Sequence, residues 1–215
     1  MPTPYKRMSL QSRLPRQVST LYTKVKTTFL REMVLVAREL SPPPPMPTLS
    51  LEVSIRALGR TEFPRSRDGL RRSLSQKSFV ERVERGDVCF ALSIEGAVVH
   101  TAWVAVRRGP IEYLRRDLAL EEDEIFVFDS YTNPEYRSLH LATARAAFVA
   151  EHYASRGFRR SLGVVAVENK AGLAVPESVG YRRIGSYGAF CIGRLCRTWS
   201  EPLPGQQIPA LIRMR

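Results

Sequence analysis

The segment EIFVFDSYTNPEYRSLHLATARAAFVAEHYASRGFRRSLGVVAV, residues 124–167, constrains the fold of this chain more than any other. Its first part, EIFVFDSY (Glu124–Tyr131), is rich in apolar, β-branched and aromatic residues and predicts a strand. Leu139–Gly157 predicts a helix, with Leu141, Ala144 and Phe148 close to one face and Gly157 placed as a C-terminal cap. SLGVVAV (Ser161–Val167) is short and almost wholly apolar, as expected of a strand buried on both faces. Two strands joined by one helix make a βαβ unit, so they run parallel with a right-handed crossover.

The flanking sequence supplies antiparallel partners for that unit. DVCFALSIEGAVVHTAWVAV predicts a hairpin turning at Glu95-Gly96, with arms Val88–Ile94 and Ala97–Val106. Upstream, LSLEVSIRAL (Leu49–Leu58) predicts a strand, and GLRRSLSQKSFVERVERG predicts one or two helices ending near Gly86. RRGPIEYLRRDLALEED reads as a polar excursion before the central unit. Downstream, VENKAGLAVPESVG predicts a short irregular helix, followed by strands in YRRIGSYGAF and CIGRLCRTW. The fold class is therefore α+β: a mixed, mostly antiparallel sheet around a central parallel βαβ unit, with helices on both faces.

SPPPPMPT (Ser41–Thr48) cannot continue a helix or a sheet ladder, because each proline lacks an N–H and fixes φ. It is the spacer of a basic N-terminal extension, residues 1–47, set before a main domain at 48–200 and a C-terminal tail at 201–215. In the extension Tyr22, Val25, Phe29, Met33, Val36 and Leu40 recur at helical spacing, while KVKTTF also alternates as a strand would. A basic amphipathic helix would suit a membrane surface or dock on the main domain. The longest apolar stretch there, MVLVA (Met33–Ala37), is too short to span a bilayer and poorly placed for a secretory signal, which leads us to expect a cytoplasmic protein.

Of the net charge of +12, the first 47 residues hold an excess of six, from eight Lys/Arg against two Asp/Glu. Such a surface attracts polyanions: nucleic acid, acidic lipid, an acidic carrier protein or the phosphates of a cofactor. No RNA-recognition signature or zinc finger supports nucleic acid among these. Cys89, Cys191 and Cys196 have no metal-ligand spacing, and their odd number argues against a disulfide framework. On one continuous strand Cys191 and Cys196 would face opposite sides, so buried reduced thiols are expected.

The turn Pro134–Ala142, PEYRSLHLA, resembles the strand-to-helix turn of the GNAT superfamily of acyl-CoA-dependent N-acetyltransferases, Pro-Glu-Tyr-Arg-Gly-x-Gly-x-Gly/Ala. Pro134, Glu135, Tyr136, Arg137 and Ala142 match it, and Ser138 and His140 stand where glycines are usual. Unpaired N–H groups and the dipole at a helix start favour a diphosphate. The resemblance thus implies a coenzyme A cradle made of Arg137 and the amides of Ser138, Leu139, His140, Leu141 and Ala142. Because helical backbone needs no glycine, Leu139–Ala142 are expected to form the first helical turn, with weaker binding than a glycine-bearing turn gives. A second resemblance lies downstream, where Asn169 is followed eleven residues later by Gly180-Tyr181. In the family that Asn fastens the start of the intervening helix or meets the pantetheine arm. Many members also carry a tyrosine seven residues after it, a general acid for the departing thiolate; here that position is Pro176.

What the resemblance implies is acyl transfer from acetyl-CoA or another acyl-CoA to a small-molecule or peptide amine by direct attack, without a metal. A longer acyl chain delivered by an acidic carrier protein fits the basic surface. The contrasting reading is a non-catalytic module of the same fold that binds nucleic acid, acidic membrane or an acidic carrier. For catalysis, a backbone N–H of Tyr131 or Thr132 would polarise the thioester, and Asp129, which interrupts an apolar run, would act as base or fasten the strand. Glu124 lies farther back. His100 and Trp103, on the second hairpin arm, are candidates for binding the acceptor, and Tyr181 and Tyr187 could line its site. His152, one turn beyond Phe148, reads as structural.

Overall fold

The computed structural model describes residues 30–63, 74–192 and 195–214. Eight strands form one sheet: β1 (Leu30–Glu39), β2 (Ser54–Leu58), β3 (Val88–Ile94), β4 (Ala97–Val106), β7 (Glu124–Thr132), β8 (Arg160–Ala166), β9 (Arg182–Ile192) and β10 (Leu195–Pro202). Their order is β10-β9-β1-β8-β7-β4-β3-β2, and β7 and β8 are its parallel pair. The other three strands, β5 (Arg108–Ile111), β6 (Arg116–Ala119) and β11 (Leu211–Arg213), form a small antiparallel sheet in the order β11-β6-β5. Among the described residues three α-helices complete the fold: α1 (Gln76–Glu84), α2 (Leu141–Ala154) and α3 (Lys170–Ser178).

The βαβ unit lies at the centre, with α2 crossing from β7 to β8. Val149, Ala150 and Tyr153 of α2 pack on Phe90, Val104 and Ile125. On the opposite face Phe79 of α1 meets Cys89 and Trp103. Beside it Ile111, Leu114 and Leu118 cover Met33, Leu35, Phe126 and Leu162. The β3–β4 hairpin turns on Glu95 and Gly96, both at positive φ (51° and 82°), as a tight right-twisting turn requires. Among the described residues no helix is long and apolar enough to cross a membrane.

Four expectations are corrected. Leu30–Glu39 is a strand inserted between β8 and β9, with Met33–Ala37 all buried. Its apolar run faces cover on both sides, which a helical stripe does not need; the part of that stripe before Leu30 lies outside the described residues. The described part of residues 1–47 is accordingly built into the sheet rather than set apart as an extension. The C-terminal residues likewise are not a loose tail: Leu211–Arg213 pair with Arg116–Leu118, and the Tyr187 hydroxyl donates to the Pro209 carbonyl at 2.6 Å. The presumed polar excursion at 107–123 is the β5–β6 hairpin, whose Ile111, Leu114 and Leu118 are buried. Finally, Cys191 and Cys196 are joined in a disulfide, while Cys89 is free and buried. The two cysteines sit directly opposite one another on β9 and β10, because the chain reverses between them and the parity of a continuous strand no longer applies.

Candidate active site

The central feature is where the parallel pair stops pairing. β7 and β8 are in register from Glu124↔Arg160 to Val127↔Gly163 and no farther. Beyond that point β7 stays with β4 while β8 stays with β1 as far as Met33↔Ala166. A bulge in β7 accompanies the separation: Phe128 pairs with Trp103 and Tyr131 with Thr101, so β7 spends one more residue than β4. Asp129 carries the bulge at φ 46°, a left-handed conformation that Asp tolerates better than most residues. The strands thereby splay around a cleft of about 470 Å³, lined among others by Val127, Asp129, Ser130, Thr132, Ala142, Gly163 and Asn169.

One end of this cleft meets the start of α2. After a 3-10 turn at Pro134–Tyr136, held by the Glu135 N–H on Asn133 Oδ1 at 3.3 Å, Ser138 and His140 both take positive φ, 66° and 55°. The chain thus keeps left-handed backbone at both positions where a glycine is usual, which corrects the expectation that Leu139 and His140 join a first helical turn. The helix starts at Leu141, and the first intrahelical bond is from the Ala144 N–H to the His140 carbonyl at 2.9 Å. His140 gives no side-chain cap, so the amides of Leu141, Ala142 and Thr143 lack intrahelical acceptors. Arg137 is exposed beside them.

Across the cleft, α3 begins at Asn169, whose Oδ1 accepts the Gly172 N–H at 2.9 Å. A side chain at 172 would collide with that cap, since a Cβ there would lie 2.3 Å from Asn169 Nδ2. Pro176, inside α3, lines the cleft. Tyr181 lines it too, with its hydroxyl hydrogen-bonded to Ser161 Oγ at 2.5 Å.

Arg82, which the sequence reading missed, organises the other side. Its guanidinium donates to Asp129 Oδ2 at 2.7 Å and to Glu112 Oε1 at 2.8 Å, and lies over the rings of Trp103 and Phe128 at 5.1 and 5.2 Å. Burial lowers the pKa of this group, but Asp129 and Glu112 outweigh burial and raise it above its ordinary value. The signal was its position three residues after the buried Phe79, on the same helical face. Arg145 was missed as well, although it falls four residues after Leu141 and three before Phe148, on the apolar face of α2. It too is buried, and burial lowers its pKa.

Asp129, Thr132, Ala142 and Asn169 thus come together on the cleft, whereas Tyr131 sits on the neighbouring stretch of β7 outside its lining. His100 and Trp103 do not touch it. Both are buried, at 0% and 1% exposure, which removes them from any surface an acceptor could reach. His100 Nδ1 instead shares a hydrogen bond with Thr132 Oγ1 at 2.8 Å; burial first, and the charge of Arg145 second, push its pKa down to about 3. Trp103 is core, edge-on to Phe79. Tyr187 is fully buried, and His152 packs among Phe90, Phe148 and Tyr153. Burial pushes the Cys89 thiol up to about 12, so it offers no nucleophile at neutral pH.

Residues 54–181 match the sequence model described as the acetyltransferase (GNAT) family. No curated protein matches the chain. Among solved structures it resembles a GCN5-related N-acetyltransferase from Sphaerobacter thermophilus (13% identity, TM-score 0.57, 88% of this chain and 58% of that one). It also resembles a Drosophila protein (15% identity, TM-score 0.52, 88% and 57%) and an acetyltransferase described as putative, of the GNAT family, from Novosphingobium aromaticivorans (18% identity, TM-score 0.51, 74% and 62%). The chain therefore spans less than two thirds of the length of each, and at these identities the likeness is one of fold.

Proposed function

Because the chain belongs to the GNAT acetyltransferase family, we propose that it transfers an acetyl or other acyl group from acyl-CoA to an amine acceptor by direct attack. The observation that carries this reading is the splayed β7–β8 pair opening beside an uncapped helix start. The residues present fit such a donor: three helix amides without intrahelical acceptors and the exposed Arg137 would hold a diphosphate, and the cleft partly lined by Val127, Val164, Thr132 and Asn169 would take a pantetheine arm. Bound acyl-CoA would supply the activated thioester.

The chain's own residues then act as follows. Successive N–H groups of a strand point to opposite edges, so one of the Tyr131 and Thr132 amides points to the edge that β8 has left. That amide is the proposed donor to the thioester carbonyl. Asp129, anchored by Arg82 and set in the cleft by the bulge, attracts and orients the acceptor amine and takes up its proton. Pro176 provides no proton to the departing thiolate, so water in the open cleft does.

The test is release of CoA thiol from acetyl-CoA in the presence of a panel of amines, using wild type and Asp129→Asn. We expect amine-dependent release in wild type and a rate lower by roughly 100-fold or more in the variant, the usual range for loss of a general base. Absence of amine-dependent release across small amines and peptide amines, from both acetyl-CoA and a longer acyl-CoA, would contradict the reading.

A further inference from the structure

Two arginines line the same cleft from opposite sides, and they are buried to a similar degree: 7% exposure for Arg82 and 5% for Arg145. Their surroundings differ. Arg82 carries two carboxylates and two aromatic rings. Among the described residues Arg145 has neither a hydrogen-bond acceptor nor an ion-pair partner, and its Nε lies buried without one. The Tyr181 hydroxyl is already hydrogen-bonded to Ser161 Oγ, and His100 nearby is neutral at physiological pH. Nothing in this constellation balances the guanidinium.

A buried cation without a partner is costly, and replacing it with an apolar side chain would normally stabilise a fold. Arg145 is also well placed to meet a ligand. It lies one helical turn past Leu141–Thr143, the amides left open for an anion, and shares the cleft-facing side of α2 with Ala142. A guanidinium presents five donors in a planar fork matched to phosphate and carboxylate oxygens.

We propose that Arg145 is an oxyanion-binding residue of the cleft, held unpaired in the free protein for a phosphate or carboxylate oxygen of the acyl donor. The inference rests on the reading of this cleft as an acyl-donor site and extends it. The oxyanion has two possible sources: the diphosphate of the coenzyme, or the terminal carboxylate of a dicarboxylic acyl group.

The experiment measures the melting temperature of the free protein and the Kd for CoA, acetyl-CoA, succinyl-CoA and inorganic pyrophosphate at fixed ionic strength. Wild type, Arg145→Leu and Arg145→Lys are compared. We expect Arg145→Leu to melt no lower than wild type when free, to bind about 10- to 100-fold more weakly, and to be partly rescued in Arg145→Lys. If the diphosphate is the source, the loss extends to CoA and pyrophosphate. A loss confined to succinyl-CoA would identify the carboxylate instead. Unchanged Kd values in Arg145→Leu would overturn the inference, as would a variant that melts lower yet binds as wild type does. Should Arg145→Leu fail to fold, Arg145→Lys decides: binding less than twofold weaker alongside a lower melting temperature would likewise overturn it. Wild type that binds pyrophosphate through Arg145 but not CoA would end the CoA reading and leave the oxyanion site standing, whereas wild type that binds none of the four ligands would end both.

Discussion

Ser138 and His140 hold left-handed backbone without being glycine, and each pays for contact between its Cβ and the adjacent carbonyl. Ser138→Gly and His140→Gly should therefore each raise stability by up to roughly 1 kcal/mol, read as a higher urea midpoint with an unchanged slope. A loss of stability in both variants would mean that these side chains make contacts that outweigh the strain. His100 sets a second expectation. It is neutral in the fold because burial depresses its pKa to about 3, while in the unfolded chain it protonates near 6.5. The unfolded state then binds the extra proton, so stability should fall as pH drops below about 6.5 and keep falling toward 3. One such group contributes at most about 1.4 kcal/mol per pH unit, and His100→Gln should flatten the pH dependence of the urea midpoint in that window. The Asn169 cap and a helix start close after the Pro134–Arg137 turn were legible in the sequence because their chemistry is local. Arg145 was missed although its spacing from Leu141 and Phe148 put it on the apolar face, because a lone charge in an Ala-rich helix reads as a solvated side chain until the sheet packed against that face is in view.

Elements show the same division between local and non-local information. The β3–β4 hairpin and the βαβ unit were legible because each is specified by its own apolar run and its own turn. The strand β1 was not: Met33, Val36 and Leu40 satisfy a helical period as well as a strand buried on both faces, and what decides is the slot between β8 and β9. The bulge at Asp129 likewise depends on how β7 counts against β4, although the carboxylate interrupting EIFVFDSY marked the place. At the β9–β10 hairpin the cysteines are cross-strand neighbours, with Cα atoms 4.1 Å apart. Closing so short a loop should stabilise the chain by roughly 2 kcal/mol on loop-entropy grounds. Reductant should lower the melting temperature of the wild type and leave that of a Cys191→Ser/Cys196→Ser variant unchanged, and an equal response of the two would refute the bridge.

For the whole molecule, the net charge of +12 and a sequence pI of about 10.2 mean that many anions will adhere to its surface without entering the cleft. Binding alone therefore does not establish an acyl-donor site; binding that distinguishes acyl-CoA from another phosphate-bearing ligand, and that depends on the turn, does. The two features on which that distinction rests are the uncapped start of α2, proposed to take the anion, and the cleft between β7 and β8, proposed to take the arm. The most direct measurement is calorimetric titration of acetyl-CoA and ATP into wild type and Arg137→Glu at two salt concentrations. The account predicts saturable one-to-one binding of acetyl-CoA, at least about tenfold tighter than ATP and weakened by about tenfold or more in Arg137→Glu. Equal affinities for acetyl-CoA and ATP, insensitive to Arg137→Glu and falling steeply with salt, would show a polyanion-binding surface and contradict it.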